Sequence, residues 1–463
     1  MRPSSSPSDG DGRPPAAGLF DGVLARGAVA ALVGDHAVLQ AMLDAEAALA
    51  TAQARVGLMP SAHAEAITGA CRVQQFDLPT IGRDAAEAGN PVVPLVRALT
   101  DMVRDRAGED AAGWVHHGAT SQDILDTAMV LVTRAALQAI ILDLQDAAAT
   151  ASDLTRAHAT TLMPGRTLLQ QALPITFGLK AAGWLVALDD AAAALTNVAD
   201  GLPAQLGGAA GTLASLERRG TAVLGAYAQT LDLAEPVLPW HTARLPIAST
   251  AAAVGAAAGL IGKIALDLVL LAQTEVAEMI EDAAGRGGSS TMPHKRNPVA
   301  AIAAIAGARR TPGLVATLLA AMPQEHERAA GNWHAEWAPL RELLVATGSA
   351  AAWLAESLRS LRVDPERMRA NLELTGGLLL AERITTALRP ILGRLAAHEL
   401  VETACRRATG QQRTLLDELL DTPAVVDALG PERIRSLLDP SGYLGSTQEL
   451  IERALQRHTK GAL

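Results

Sequence analysis

The chain has 463 residues, enough for about three domains of ordinary size. Nearly half are hydrophobic (49%), only 2% are aromatic and 19% are charged, a composition that favours close-set helices over an aromatic-rich sheet. A net charge of −10 argues against a general nucleic-acid or anionic-membrane surface. Cys71 and Cys405 lie far apart, with no CxxC or Cys/His zinc spacing, so a disulfide framework is not expected and a reducing cytosol is the natural compartment.

In chain order, residues 1–17 are Ser/Pro/Gly-rich, lack the apolar core of a signal peptide and read as a disordered tail. Asp35 to Val56 is Ala/Leu-rich and ends in Gly57-Leu58-Met59-Pro60, a helix-stop pattern. From Gln122, the residues Leu125, Met129, Val132, Ala136 and Ala139 recur at alternating spacings of four and three, predicting a long helix that could reach Thr161. Further long segments are expected over Pro174–Ala199, Pro246–Ala283, Pro298–Ala321 and Ala335–Leu361. Ile247–Leu271 is apolar enough to be mistaken for a membrane span. However, Lys263 and Asp267 sit four apart within it, and its Ala/Gly content suits a tight bundle. These segments divide the chain into a helical domain over 18–111, a central bundle over 112–356 and a smaller helical domain over 357–463. No repeat of solenoid period is present.

The chemistry-bearing residues collect in loops. Gly287-Gly288-Ser289-Ser290-Thr291-Met292-Pro293-His294-Lys295-Arg296-Asn297-Pro298 brings hydroxyls, cations, an imidazole and an amide together before an apolar helix. Its backbone N–H groups and the helix N-terminus would make an anion site, and Lys295 and Asn297 could hold a carboxylate or a developing oxyanion; the plainer reading is a solvated linker with an N-cap. In His116-His117-Gly118-Ala119-Thr120-Ser121-Gln122-Asp123, capping accounts for one hydroxyl but leaves the His pair and Gln122 unexplained. Consecutive histidines rarely converge on one ion, so no metal is expected there. Gly165-Arg166-Thr167-Leu168-Leu169-Gln170 reads as a turn followed by amides at a helix start. Pro323-Gln324-Glu325-His326-Glu327-Arg328, with Trp333-His334-Ala335-Glu336-Trp337 behind it, is either a solvated face or a binding element, with at least one Trp a core anchor. No P-loop, dinucleotide fingerprint, GxSxG elbow or cysteine nucleophile setting is found. Carboxylate-binding, proton-transfer chemistry without a cofactor remains.

The run Gly288–Pro298 resembles the signature loop of the fumarase/aspartase superfamily. Thr120-Ser121-Gln122-Asp123 and Gly165-Arg166-Thr167 through Gln170 resemble its first and second conserved regions, in the family's order. Within the superfamily, Gly118–Asp123, Ser289–Lys295, Ala321–Arg328, Trp333–Trp337 and Leu438-Asp439-Pro440 with Tyr443-Leu444-Gly445 are similar to the 3-carboxy-cis,cis-muconate cycloisomerases. The resemblance implies an all-α, three-domain fold. A central long-helix bundle would form the core of a homotetramer, with active sites assembled at subunit corners. It implies Ser289 as the base that removes a proton α to a carboxylate, activated by loop closure, and His116 or His117 as proton carriers. Thr120, Ser121, Thr167, Gln170, Ser290, Thr291, Met292, Lys295, Asn297, His241 and Arg328 would bind a small polycarboxylate, with no cofactor or metal.

Two places depart from that pattern. Leu168 stands where many of these lyases carry His and the cycloisomerases usually carry Trp. In Trp240-His241-Thr242-Ala243-Arg244-Leu245, Ala243 and Leu245 replace a polar Gln and Asp. Lost polarity points to a changed substrate, so a lyase releasing fumarate from a substituted succinate, such as a nitrosuccinate lyase, is the alternative. A non-catalytic structural helical protein is the alternative of another class, opposed by the intact Ser289, Lys295 and Asn297.

Overall fold

The computed structural model describes residues 18–283, 285–288, 291–292 and 294–461. Among these the regular secondary structure is almost all helix, with four short strands in two antiparallel pairs. The described residues gather into two compact units. One comes from Met1–Ala139, Ala199–Ala252 and Arg310–Ala350; the other comes from Ile140–Val198, Ala253–Arg309 and Ala351–Leu463.

In the first unit, the helix Asp35–Arg55 buries Leu39, Leu43 and Leu49, and Leu95, Leu99 and Ile124 are buried in the same unit. Glu46 and Gln53 fall on the same buried stripe. The helix Ser121–Ala157 opens in this unit and runs for 37 residues, about 55 Å at 1.5 Å per residue. It stops at Ala157, short of Thr161, because the next helix supplies donors to the carbonyls there: Gly178 N–H reaches His158 O at 2.9 Å and Phe177 N–H reaches Thr161 O at 2.8 Å.

In the second unit, Gly165–Gln170 is not a helix start but the tip of a hairpin. Strand β1 (Leu162–Thr167) pairs with β2 (Gln170–Thr176), Thr167 opposite Gln170. The two turn residues, Leu168 and Leu169, have φ of 50° and 64°, the doubly left-handed arrangement of a type I′ turn that Asn-Gly ordinarily fills. The segment expected to be helical from Pro246 to Ala283 is helical only over Leu245–Leu271. The chain then turns through Ala277 at φ 51°, and β3 (Met279–Glu281) pairs with β4 (Leu361–Val363), satisfying its backbone in a ladder. The helices Phe177–Asp200, Val299–Ala320 and Asn332–Arg359 lie within three residues of their expected ends. Small residues set helix spacing: a Cβ added at Gly262 would sit 3.0 Å from Ala308 Cβ. Lys263 and Asp267 form the expected i,i+4 ion pair, and Asp267 also accepts Trp184 Nε1–H at 2.8 Å. The C-terminal helices Ala381–Leu392 and Arg394–Gln411 enclose a core of their own, with Ile384, Leu388, Val401, Leu415, Leu419 and Ile434 buried.

Three helices are long and apolar enough to cross a membrane by length and composition: Ser121–Ala157, Leu245–Leu271 and Val299–Ala320. Within the chain, the most apolar windows of the last two are only 44% and 39% buried, so each keeps an apolar face uncovered by its own chain.

Candidate active site

In the first unit the site is built on the start of the helix Ser121–Ala157. The expected hydroxyl cap is replaced by a carboxylate: Asp123 Oδ2 receives Thr120 N–H at 2.9 Å. Among the described residues, the Thr120 and Ser121 hydroxyls therefore keep no side-chain partner, and both residues are half-buried. Asp123 is fully buried and satisfied by three more donors: Gly207 N–H and Gly208 N–H, each at 2.9 Å, and His241 Nε2 at 2.7 Å. A buried carboxylate with four donors is a joint, binding the Gly207–Gly208 loop and the Trp240–Thr242 segment to the helix start.

Gln122, also buried, donates to His241 O at 2.8 Å and Asp126 Oδ2 at 3.1 Å and accepts from Arg328 at 3.1 Å. Arg328 reaches on to Ala209 O at 2.8 Å and Gly208 O at 3.3 Å. His241 Nε2 and the Arg328 guanidinium, both expected at the substrate, are thus engaged by groups of the protein itself.

Beneath them, Arg244 (2% exposed) forks onto Asp126 at 2.7 and 3.0 Å and meets Glu336 at 2.6 Å. Trp333 Nε1–H completes Asp126 at 2.9 Å, and Gln324 donates to Glu336 at 3.0 Å. Burial pushes the Glu336 carboxyl above its ordinary range, while Arg244 opposes that shift. Trp333 is the anticipated core anchor, edge-on to Trp337 at 4.9 Å. Ala243 and Leu245, the departures noted in the sequence, are exposed on this chain.

The adjacent histidines diverge. His116 Nδ1 lies 2.6 Å from Glu46 Oε1, whereas His117 stacks edge-on against Trp114 at 4.9 Å. Nothing in the loop motifs points to Glu46. The available signal was an acidic residue on the apolar stripe of the helix Asp35–Arg55.

In the second unit, the signature loop stands on a closed stem. Asn297 N–H donates to Gly287 O at 2.9 Å, its side-chain amide adds a contact at 3.2 Å, and Gly288 bridges Arg296 antiparallel. Gly287, at φ 77°, cannot be replaced without strain, since a Cβ there would lie 2.4 Å from Asn297 O. Arg296 pairs with Asp282 at 2.9 Å, and Arg286 pairs with Glu356 and lies over the Trp353 ring at 5.2 Å. The helix N-terminus expected to bind an anion is already filled: Glu281 accepts Ala300 N–H at 3.0 Å, Ala301 N–H at 2.9 Å and Ser357 Oγ–H at 2.5 Å. Asn297 closes the stem with its amide, while Lys295 projects exposed. Thr291 and Met292 are exposed on the loop; Ser289 and Ser290, the expected base and its neighbour, lie outside the described residues.

Thr167 and Gln170 flank the exposed hairpin turn. Arg166 is taken by Glu278, fully buried, through two contacts at 2.6 and 2.9 Å, and Asn371 adds a third donor at 2.9 Å. Among the described residues no group of three or more His, Cys, Asp or Glu side chains is placed to hold a metal ion.

Comparison with known proteins matches residues 25–313 to the family described as Lyase and residues 377–454 to the family described as Adenylosuccinate lyase C-terminus. The chain is 46% identical over 439 residues to a 3-carboxy-cis,cis-muconate cycloisomerase of Bradyrhizobium diazoefficiens, spanning 94% of this chain and 97% of that protein. It is also 46% identical over 449 residues to a nitrosuccinate lyase of Streptomyces davaonensis, spanning 95% and 94%. In three dimensions it matches the crystal structure of 3-carboxy-cis,cis-muconate lactonizing enzyme from Pseudomonas putida with a TM-score of 0.91 at 42% identity, covering 96% of this chain and all of that one.

Proposed function

The chain belongs to the fumarase/aspartase superfamily of lyases, and from that premise we propose that it is a 3-carboxy-cis,cis-muconate cycloisomerase acting without a cofactor. The observation that carries this reading is an end-to-end likeness, in sequence and in fold, to proteins of that activity. The reaction interconverts 3-carboxymuconate and its lactone. In the ring-opening direction a base removes the proton α to a carboxylate, the aci-carboxylate collapses, and the ring oxygen departs as a second carboxylate. Ser289 takes the proton as its oxyanion, which the donors supplied by loop closure keep ionised in the water-free site, and the exposed Lys295 stabilises the added charge of the intermediate. The Thr120 and Ser121 hydroxyls, with Thr167, Gln170, Ser290, Thr291 and Met292, grip the remaining carboxylates. Asn297, His241 and Arg328 fix the loops that carry them.

Leu168 fits this chemistry. A departing carboxylate, with a conjugate acid of pKa about 4, leaves without protonation, so the acid that other lyases carry after the Arg-Thr pair has no task. The elimination step itself, from the carbon acid to Ser289, gives His116 and His117 no proton to carry.

We further propose a homotetramer, in which separate subunits contribute the three site regions. Its support is the apolar surface this chain leaves uncovered: the faces of Leu245–Leu271 and Val299–Ala320, and a hairpin tip with Leu168 97% and Leu169 75% exposed. The free Cys71 and Cys405 suit the cytoplasm.

The nitrosuccinate lyase likeness, equal in identity, supplies the second reading, in which nitrite leaves and fumarate is released. Purified protein is offered 3-carboxymuconate and nitrosuccinate side by side, with Ser289→Ala as control. Lactone formation supports the first reading; fumarate with nitrite replaces it with the second. In either case Ser289→Ala should lower kcat by about 10²–10⁴-fold with the fold retained.

A further inference from the structure

Glu46 and His116 form a buried acid–imidazole pair that the elimination step does not use. Glu46 is 1% exposed; its Oε1 meets His116 Nδ1 at 2.6 Å, and its Oε2 has no partner among the described residues. Seven residues further along the same helix, Gln53 donates to His117 O at 2.7 Å. One helix therefore holds both the ring and the following carbonyl of the loop that leads into Thr120 and Ser121. His116 itself sits at φ 58°, a conformation that a non-glycine residue keeps only when its surroundings enforce it. Its side chain is 19% exposed, and among the described residues its Nε2 edge has no hydrogen-bond partner.

We infer that Glu46 is a positioning residue that holds His116 as an imidazolium, with the Nε2–H presented to a carboxylate of the substrate. The inference rests on the substrate being a polycarboxylate. A neutral ring that gives its Nδ1–H to Glu46 carries a lone pair at Nε2 and repels a carboxylate; the protonated ring donates at both ends. Burial by itself favours the neutral ring. The Glu46 carboxylate outweighs it, Asp123 adds to the effect, and the His116 pKa is raised above its ordinary 6.5. Cys71 and Tyr227 also feel the Glu46 charge; burial raises the pKa of both, so they stay neutral and do not compete for it.

The test uses the full chain labelled with ¹⁵N-histidine, His116→Gln serving to assign the ring. In the wild type the His116 ring is expected to titrate above 6.5 and to move higher when propane-1,2,3-tricarboxylate is added; in Glu46→Gln it titrates below 6.5. Equal titration in both proteins, or no response to the tricarboxylate, overturns the proposal. With 3-carboxymuconate at a pH between the two measured ring titrations, Glu46→Gln should raise KM about tenfold while kcat at saturation is kept, the difference closing as pH falls below both. A loss of kcat with KM unchanged assigns the pair to proton transfer instead and overturns the binding role. If Glu46→Gln does not fold, His116→Gln decides: KM is expected to be higher and no longer pH-dependent, and an unchanged KM profile overturns the proposal. Should the substrate reading fail, wild-type turnover is absent while the titration and its tricarboxylate response persist, so the two failures are distinguishable.

Discussion

Glu281 and Ala300 are joined by a hydrogen bond of 3.0 Å from the Ala300 N–H to Glu281 Oε2, drawing together the two ends of the signature loop. The other oxygen takes Ala301 N–H and Ser357 Oγ–H, so one buried carboxylate caps the helix Val299–Ala320 and anchors it to the helix Asn332–Arg359. A loop expected to close over substrate needs ends that do not move with it, and Glu281 with the Gly287–Asn297 stem supplies them.

Glu281→Ala strands two helix N–H groups and the Ser357 hydroxyl in a buried setting. It should cost about 2–5 kcal/mol in urea unfolding and speed proteolysis of the loop, whereas Glu281→Gln, which keeps an acceptor, should cost less. Equal losses for the two variants would place the effect in packing.

Arg244 is the cation between two buried carboxylates, so Arg244→Met leaves Asp126 and Glu336 facing each other uncompensated. A loss of about 3–5 kcal/mol is expected. Changing all three to apolar residues should recover much of it, since Trp333, Gln324 and the other polar neighbours are then the only groups left to satisfy. Chemical denaturation of the single and triple variants checks both statements.

The hairpin tip sets a local preference against an assembly role. Leu168→Asn with Leu169→Gly installs the residues a type I′ turn prefers and should relieve about 1–2 kcal/mol of left-handed strain. The same change removes the exposed leucines, so sedimentation should show weaker self-association although each chain is more stable. Unchanged assembly would remove the tip from the interface.

The Glu46–His116 pair also gives stability a pH dependence of fixed sign. The folded-state pKa of His116 is raised, so the pair contributes fully below the ordinary 6.5, and the contribution is lost as pH rises through the folded value. The stability difference between wild type and His116→Asn should therefore shrink from acid towards alkaline pH, as measured by denaturant unfolding across that range.

Much of this was legible from residue order. The apolar spacing from Leu125 to Ala139 specified a long helix, Lys263 and Asp267 announced their ion pair, and the Gly288–Pro298 run identified the superfamily. Other elements were misread for physical reasons. Leu168-Leu169 carries no turn signal, because leucine is a poor choice at positive φ, so the hairpin was hidden. Met279–Glu281 is too short to show a period of two, and its strand exists only because Leu361–Val363 lies beside it. Capping by one hydroxyl of the Thr120-Ser121 pair was the plain alternative to substrate binding; Asp123 fills the cap instead, held by Gly207, Gly208 and His241 from distant segments.

What the sequence alone determined was the helical class, the superfamily and the residue types available for carboxylate chemistry, since periodicity and motif order are properties of the chain as written. Which carboxylates are joints and which imidazole meets a buried carboxylate was decided only by tertiary structure. Asp123, Asp126, Glu46 and Glu281 are ordinary acidic residues until distant segments bury them and bring the donors that hold them. The energy of a buried charge depends on partners that lie tens to hundreds of residues away.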